Sequence, residues 1–90
     1  MRYTFSTEVQ RQLKEINKKD RKLSKKIYKQ LSLFLDNPKY PSLKIHKLSG
    51  KMKNQYSISV TQGFRMTYTL LGDGAHFTKI GTHDEVYKNN

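Results

Sequence analysis

Val9, Leu13 and Ile16 recur at spacings of four and three, with Arg11, Lys14 and Lys18 between them. That period predicts an amphipathic helix running to about Lys18. Ser6 stands ahead of it as an N-cap and Glu8 lies in the first turn, where a side-chain oxygen and a negative charge suit the unpaired N–H groups. Asp20 is placed to cap a second helix, with Leu23, Ile27, Leu31, Phe34 and Leu35 as its apolar stripe and Lys22, Lys25, Lys26 and Lys29 as its outer side. Pro38 and Pro41 end it, since proline cannot continue the ladder of N–H bonds. Two short helices in succession make a hairpin whose stripes need a cover.

The second half of the chain supplies one. Tyr56, Ile58 and Val60 alternate with Ser57 and Ser59, and after a turn at Thr61–Gly63, Phe64, Met66, Tyr68 and Leu70 alternate with Arg65, Thr67 and Thr69. Period two predicts two strands of a hairpin, and a turn at Gly72–Gly74 leads to a third strand over residues 75–82. Tyr3 and Phe5 around Thr4 read as a further brief strand at the start. One sheet face, with Ile58, Val60, Met66 and Tyr68, packs on the helices; the other, with Arg65, Thr67 and Thr69, is expected to stay open to solvent or ligand. Residues 37–54 form a connection in which Leu43, Ile45 and Leu48 are apolar anchors. The expected class is α+β, a helical hairpin on a twisted antiparallel sheet, in a single domain spanning residues 1–90.

Ninety residues leave no room for a separate cofactor domain. The absence of cysteine excludes a disulfide framework and a thiolate-held zinc. No apolar run approaches the length of a membrane span and the start lacks a secretory pattern, so a soluble, cytoplasmic protein with no membrane partner is expected. Charge narrows the picture further: 18 Lys+Arg against 7 Asp+Glu give a net +11, all of it before residue 55. Such a balance fits a polyanion, an acidic protein partner or both.

Scattered carboxylates and the lack of a phosphate-cradling glycine loop leave little material for a metal site, and neither metal nor cofactor is expected. His46, His76 and His83 remain, with Arg65 and several lysines. These groups suffice for metal-free cleavage of RNA, in which the ribose 2′-hydroxyl attacks the adjacent phosphate. A base takes the hydroxyl proton, an acid protonates the leaving oxygen, and a fixed cation stabilises the charge on the phosphorane. Each candidate also has a plain reading: His83 can cap the turn at Asp84–Tyr87, Tyr87 can plug the core, and Arg65 can be a solvated strand residue. His46 beside Lys47 reads as a surface histidine, and His76 as an exposed one near a turn.

The run Ile80-Gly81-Thr82-His83-Asp84-Glu85-Val86-Tyr87 resembles the closing segment of the RelE/ParE superfamily of toxins, most closely its YafQ branch. His46-Lys47-Leu48-Ser49-Gly50 is similar to an element of that branch, and Phe64-Arg65-Met66 to a strand that carries a catalytic arginine in RelE and YoeB. The order of helical hairpin and sheet agrees over the chain. The resemblance implies the toxin of a type II toxin–antitoxin system, a ribosome-dependent mRNA endoribonuclease that inhibits translation and is silenced by an acidic antitoxin. It implies that His83 is a catalytic histidine, Tyr87 the aromatic that positions or stacks on a base, His46 the loop histidine, and Arg65 the phosphate-stabilising cation. Lys51 and Lys53 fall near basic positions of the family, and Lys22, Lys25 and Lys26 form the surface implied to bind RNA or antitoxin. The chain departs from YafQ at Val60-Thr61-Gln62-Gly63, where that branch has a further His and Asp, so the acid and base roles stay open between His46 and His83. Two rivals share the fold: a ParE-like inhibitor of DNA gyrase, and a catalytically silent nucleic-acid- or antitoxin-binding module.

Overall fold

The computed structural model describes residues 1–48, 54–82 and 86. Its elements are β1 (Arg2–Phe5), α1 (Thr7–Lys19), α2 (Arg21–Asp36), a 3-10 turn (Pro41–Leu43), β2 (His46–Lys47), β3 (Gln55–Thr61), β4 (Phe64–Leu71) and β5 (Gly74–Thr82). The α+β class expected from the sequence is the one observed.

Local chemistry sets both helix starts. Ser6 Oγ accepts from Val9 N at 3.1 Å, as a capping serine should. Asp20 does double duty: its N–H donates to Ile16 O at 2.8 Å, closing α1, and its Oδ1 accepts from Leu23 N at 3.1 Å, opening α2. One residue therefore makes the whole turn of the hairpin. At the other end of α2, Met1 N donates to Phe34 O at 3.1 Å and Leu35 O at 2.7 Å, satisfying carbonyls that a helix end leaves unpaired.

The buried face of α2 holds Ile27, Leu31 and Phe34 together with Ser24 and Gln30. Leu35, assigned to the stripe by its spacing, is instead 54% exposed, because it sits in the last turn at the margin of the packed arc. Gln30 takes an inner place that its polarity would not suggest, and its Nε2 donates to Ser42 O at 3.1 Å and Ser59 O at 2.8 Å. Both donors of the amide are thereby spent, which is how a buried polar group avoids a desolvation penalty.

The five strands lie in the order β1-β5-β4-β3-β2. Strands β2 to β5 pair antiparallel, and β1 adds a parallel edge beside β5, with Tyr3 opposite Ala75 and Phe5 opposite Phe77. The helical hairpin carries the chain from that edge across one face toward the far side of the sheet. There Val9, Leu13, Ile27, Leu31 and Phe34 pack on Ile58, Met66, Tyr68, Phe77 and Ile80. Phe34, Tyr68 and Phe77 meet edge to face at centroid distances of 5.1, 5.6 and 5.2 Å, an arrangement that adds to the burial of three large rings.

The ladder between β4 and β5 slips once. Thr67 lies opposite Lys79 while Tyr68 lies opposite Phe77, so Thr78 is the additional residue of a bulge. Ala75, Phe77 and Ile80 all reach the core in consequence, whereas Lys79 and Gly81 turn to the opposite face with Arg65 and Thr67.

Candidate active site

That opposite face, away from the helices, is built in cross-strand rows. His46, Ser57, Thr67 and Lys79 form one row across β2, β3, β4 and β5. Ser59, Arg65 and Gly81 form the next. Residues opposite one another share a face, so Lys79 and Arg65 are diagonal neighbours, about 7–8 Å apart at the backbone. Two long cationic side chains at that separation can converge on one phosphate. Gly81 contributes to the same end: it places no side chain directly across from Arg65.

The sequence suggested that this face would be open, and that expectation is corrected. Ser57 and Thr67 are fully buried and Ser59 is nearly so, while Arg65 and Lys79 are partly exposed and His46 is exposed. Leu48 continues the ladder by donating from its N to Gln55 O at 2.9 Å, and strand alternation sets it on this same face. It is only 5% exposed. The face thus has apolar cover near β2, which polar strand residues alone did not foretell.

Burial has a consequence for hydrogen bonding. Among the described residues, Arg65 Nε and Thr67 Oγ1 are the buried side-chain polar atoms without a hydrogen-bond partner. A buried donor or acceptor left unpaired costs about 1–3 kcal/mol, and native folds seldom keep one without use for it. Both lie on β4, two residues apart on one face.

The sequence-derived residues divide between two sides of the molecule. Arg65 and His46 share the helix-free face, on strands separated by β3, or about 10 Å. Lys22, Lys25 and Lys26 are exposed on α2, in the layer behind the sheet. His83, Tyr87, Lys51 and Lys53 lie outside the described residues. His76 is on the face of Arg65 but in a more distant row, opposite Thr69 and Thr4, and its Nδ1 is hydrogen-bonded to Thr4 Oγ1 at 2.8 Å. Sequence reasoning missed Lys79, and it placed Thr67 on this face without foreseeing its burial. A signal for Lys79 was present, because the apolar positions Ala75, Phe77 and Ile80 change spacing from two to three where the bulge falls. Among the described residues no group of three or more His, Asp or Glu is gathered to hold a metal.

Known structures share this fold. A YoeB/ParE toxin from Agrobacterium tumefaciens superposes with a TM-score of 0.78 at 18% identity, over 92% of this chain and 99% of that one. YafQ in the E. coli DinJ–YafQ complex gives 0.77 at 20%, over 97% and 99%. This chain has the RelE-like toxin fold. The YoeB–YefM complex from Staphylococcus aureus supplies another superposition at 0.76 and 23% identity, over 92% of this chain and 97% of that one. No family model matches the sequence, and no curated protein matches it by sequence. The superpositions span nearly the full length of both partners. No helix among the described residues is long and apolar enough to cross a membrane.

Proposed function

We propose that this chain is the toxin of a type II toxin–antitoxin pair and that it cuts messenger RNA on the ribosome without a metal. The observation that carries the reading is Arg65: a partly buried cation with an unpaired Nε, opposite Gly81 and diagonal to Lys79, on the helix-free face of a RelE-like fold. In the reaction the 2′-oxygen bonds to phosphorus and the 5′-oxygen leaves. One imidazole, of His83 or His46, takes the 2′-hydroxyl proton, and an acid returns a proton to the leaving oxygen. Products are a 2′,3′-cyclic phosphate and a 5′-hydroxyl end. Arg65 and Lys79 stabilise charge that grows on the phosphorane, which is where a fixed cation accelerates the step. Tyr87 supports a base, and Lys51 and Lys53 add phosphate contacts. His46, exposed and two strands from Arg65, engages the sugar–phosphate on the far side of β3.

The partner side of the reading rests on charge and on the neighbours. S. aureus YoeB and E. coli YafQ are each found in toxin–antitoxin complexes. A chain of net +11 suits an acidic antitoxin that lies over its lysines or over the groove beside Arg65. Cytoplasmic action follows, since ribosome and message are there.

The deciding experiment expresses the protein in bacteria from a tightly controlled promoter and maps the 5′ ends of transcripts. In-frame, translation-dependent cuts, lost in His83→Ala, are the expected outcome. Intact messages with DNA damage would instead make the chain a gyrase inhibitor of the ParE kind, and intact messages without damage a silent binding module.

A further inference from the structure

A cleft of about 510 Å³ lies between residues 38–45 and the core-side face of β3 and β4. It is remote from the cationic site: its wall residue Leu70 is five positions beyond Arg65 on β4, about 17 Å along the strand and on the opposite face. Pro38, Ile45, Tyr56 and Leu70 give it apolar walls that are only partly buried, and the exposed Tyr40 adds a ring. Lys39 and Lys44, both exposed, complete the lining on the polar side. Tyr40, Leu35 and Leu71, three of the four large apolar side chains exposed among the described residues, lie at this end of the molecule. Leu35 gives its carbonyl to Met1, which also lines the cleft, and Leu71 follows Leu70. Open apolar surface gathered around a concavity of this size marks a place of contact.

We propose that the cleft is a docking site for an acidic protein segment, which buries one large apolar side chain among Pro38, Ile45 and Leu70 and sets its carboxylates on Lys39 and Lys44. The inference deepens the partner side of the proposed function and rests on it for naming that partner as the antitoxin. Charge excludes a second copy of this chain as the occupant, because two molecules of net +11 repel each other. Lining excludes a nucleic acid. Every nucleotide brings a phosphate, and an aliphatic wall returns nothing for its lost hydration. The carboxylate of Asp36, held by the Tyr40 hydroxyl at 2.9 Å, also stands beside this wall and repels a charge repeated at each unit. A peptide can leave that place uncharged, present a bare hydrocarbon side chain to the cleft and keep its acids for the two lysines. The apolar contact then supplies the affinity and the lysines the choice of partner.

The test titrates the full chain, without ribosomes, with three twelve-residue peptides in which glutamates flank a central Leu, Phe or Ser. Signals of Tyr40, Ile45 and Leu70 are followed by NMR, which registers weak binding. The expected result is that the Leu and Phe peptides shift these signals and bind at least about tenfold more tightly than the Ser peptide, as burial of one large apolar side chain requires. Tyr40 is exposed and its hydroxyl bond lies at the surface, so Tyr40→Ser leaves the core intact; it should weaken the Leu peptide about tenfold. Lys39→Gln with Lys44→Gln should weaken it about threefold and flatten its salt dependence, more than Lys14→Gln with Lys18→Gln on α1.

Equal binding of the Leu and Ser peptides would overturn the site and leave only diffuse charge. A single-stranded RNA of twelve nucleotides that moves the same signals as far as the Leu peptide would overturn it in favour of nucleic acid. Signals that shift on dilution of the free chain, with a matching change in sedimentation, would overturn it in favour of a second copy. The cleft and the toxin reading fail separately. A chain that cuts no message yet binds the Leu peptide selectively keeps the cleft, and one that cuts in frame yet binds the Leu and Ser peptides alike loses it.

Discussion

Thr67→Val is expected to make the protein more stable. Thr67 is fully buried in β4, and its Oγ1 finds no hydrogen-bond partner. Valine has the same shape and branching, so the strand and the packing around it are preserved and only the hydroxyl is lost. The penalty for burying an unpaired hydroxyl is about 1–3 kcal/mol, and removing the group should return about 1–2 kcal/mol of it. For a chain of this size each 1 kcal/mol moves the melting temperature by about 4–8 °C. The gain should therefore be visible in thermal melts followed by circular dichroism and in the urea midpoint, with an unchanged urea slope. A lower midpoint for the valine variant would refute the reasoning, because it would mean that the hydroxyl is paired in the folded protein. Cleavage measured on the same variant tells whether the hydroxyl has a use. A more stable, slower enzyme is the result expected if Thr67 gains its partner from RNA beside Arg65.

Arg65→Ala should lower the single-turnover cleavage rate about a hundredfold or more while changing ribosome binding little, since a cation aimed at developing charge acts in the transition state; equal losses in binding and rate would make it a docking residue. Burial, aided by the nearby Tyr56, pushes the Tyr68 phenol from 10.0 up to about 12. The folded state then keeps a proton that the unfolded chain loses, so stability is intact below pH 10 and falls by up to about 3 kcal/mol as pH rises to 12. Urea unfolding across that range checks it, and Tyr68→Phe should flatten that part of the profile. Asp20→Ala should cost about 1 kcal/mol by removing the cap of α2; a destabilisation no larger than that of Lys22→Ala would mean that the bond to Leu23 N contributes nothing.

What could be read from the sequence was what neighbouring residues decide among themselves. Ser6 and Asp20 were recognisable as caps because a side-chain oxygen meets an N–H only three positions on. The two helices and the three long strands followed from the spacing of apolar residues, which reports the face each element buries. Arg65 could be singled out for a similar reason, as a lone cation among threonines in an alternating strand. Interactions between distant parts of the chain left weaker traces. Nothing near Tyr3 announces a parallel pairing with Ala75, which depends on the helical hairpin carrying the chain away and β5 returning beside β1. Gln30 reads as surface, yet the fold brings Ser42 O and Ser59 O to it and makes burial tolerable. The bulge at Thr78 is the clearest instance. Strict alternation after Phe77 would send Lys79 into the core, where an unpaired ammonium is too costly to desolvate. The sheet instead inserts one residue, keeps Ile80 inside, and turns Lys79 to the face of Arg65. Periodicity along the chain is a local property and survives in the sequence, whereas register between strands is settled by which pairing buries the apolar side chains and leaves the charges wet, and that is decided only when the strands meet.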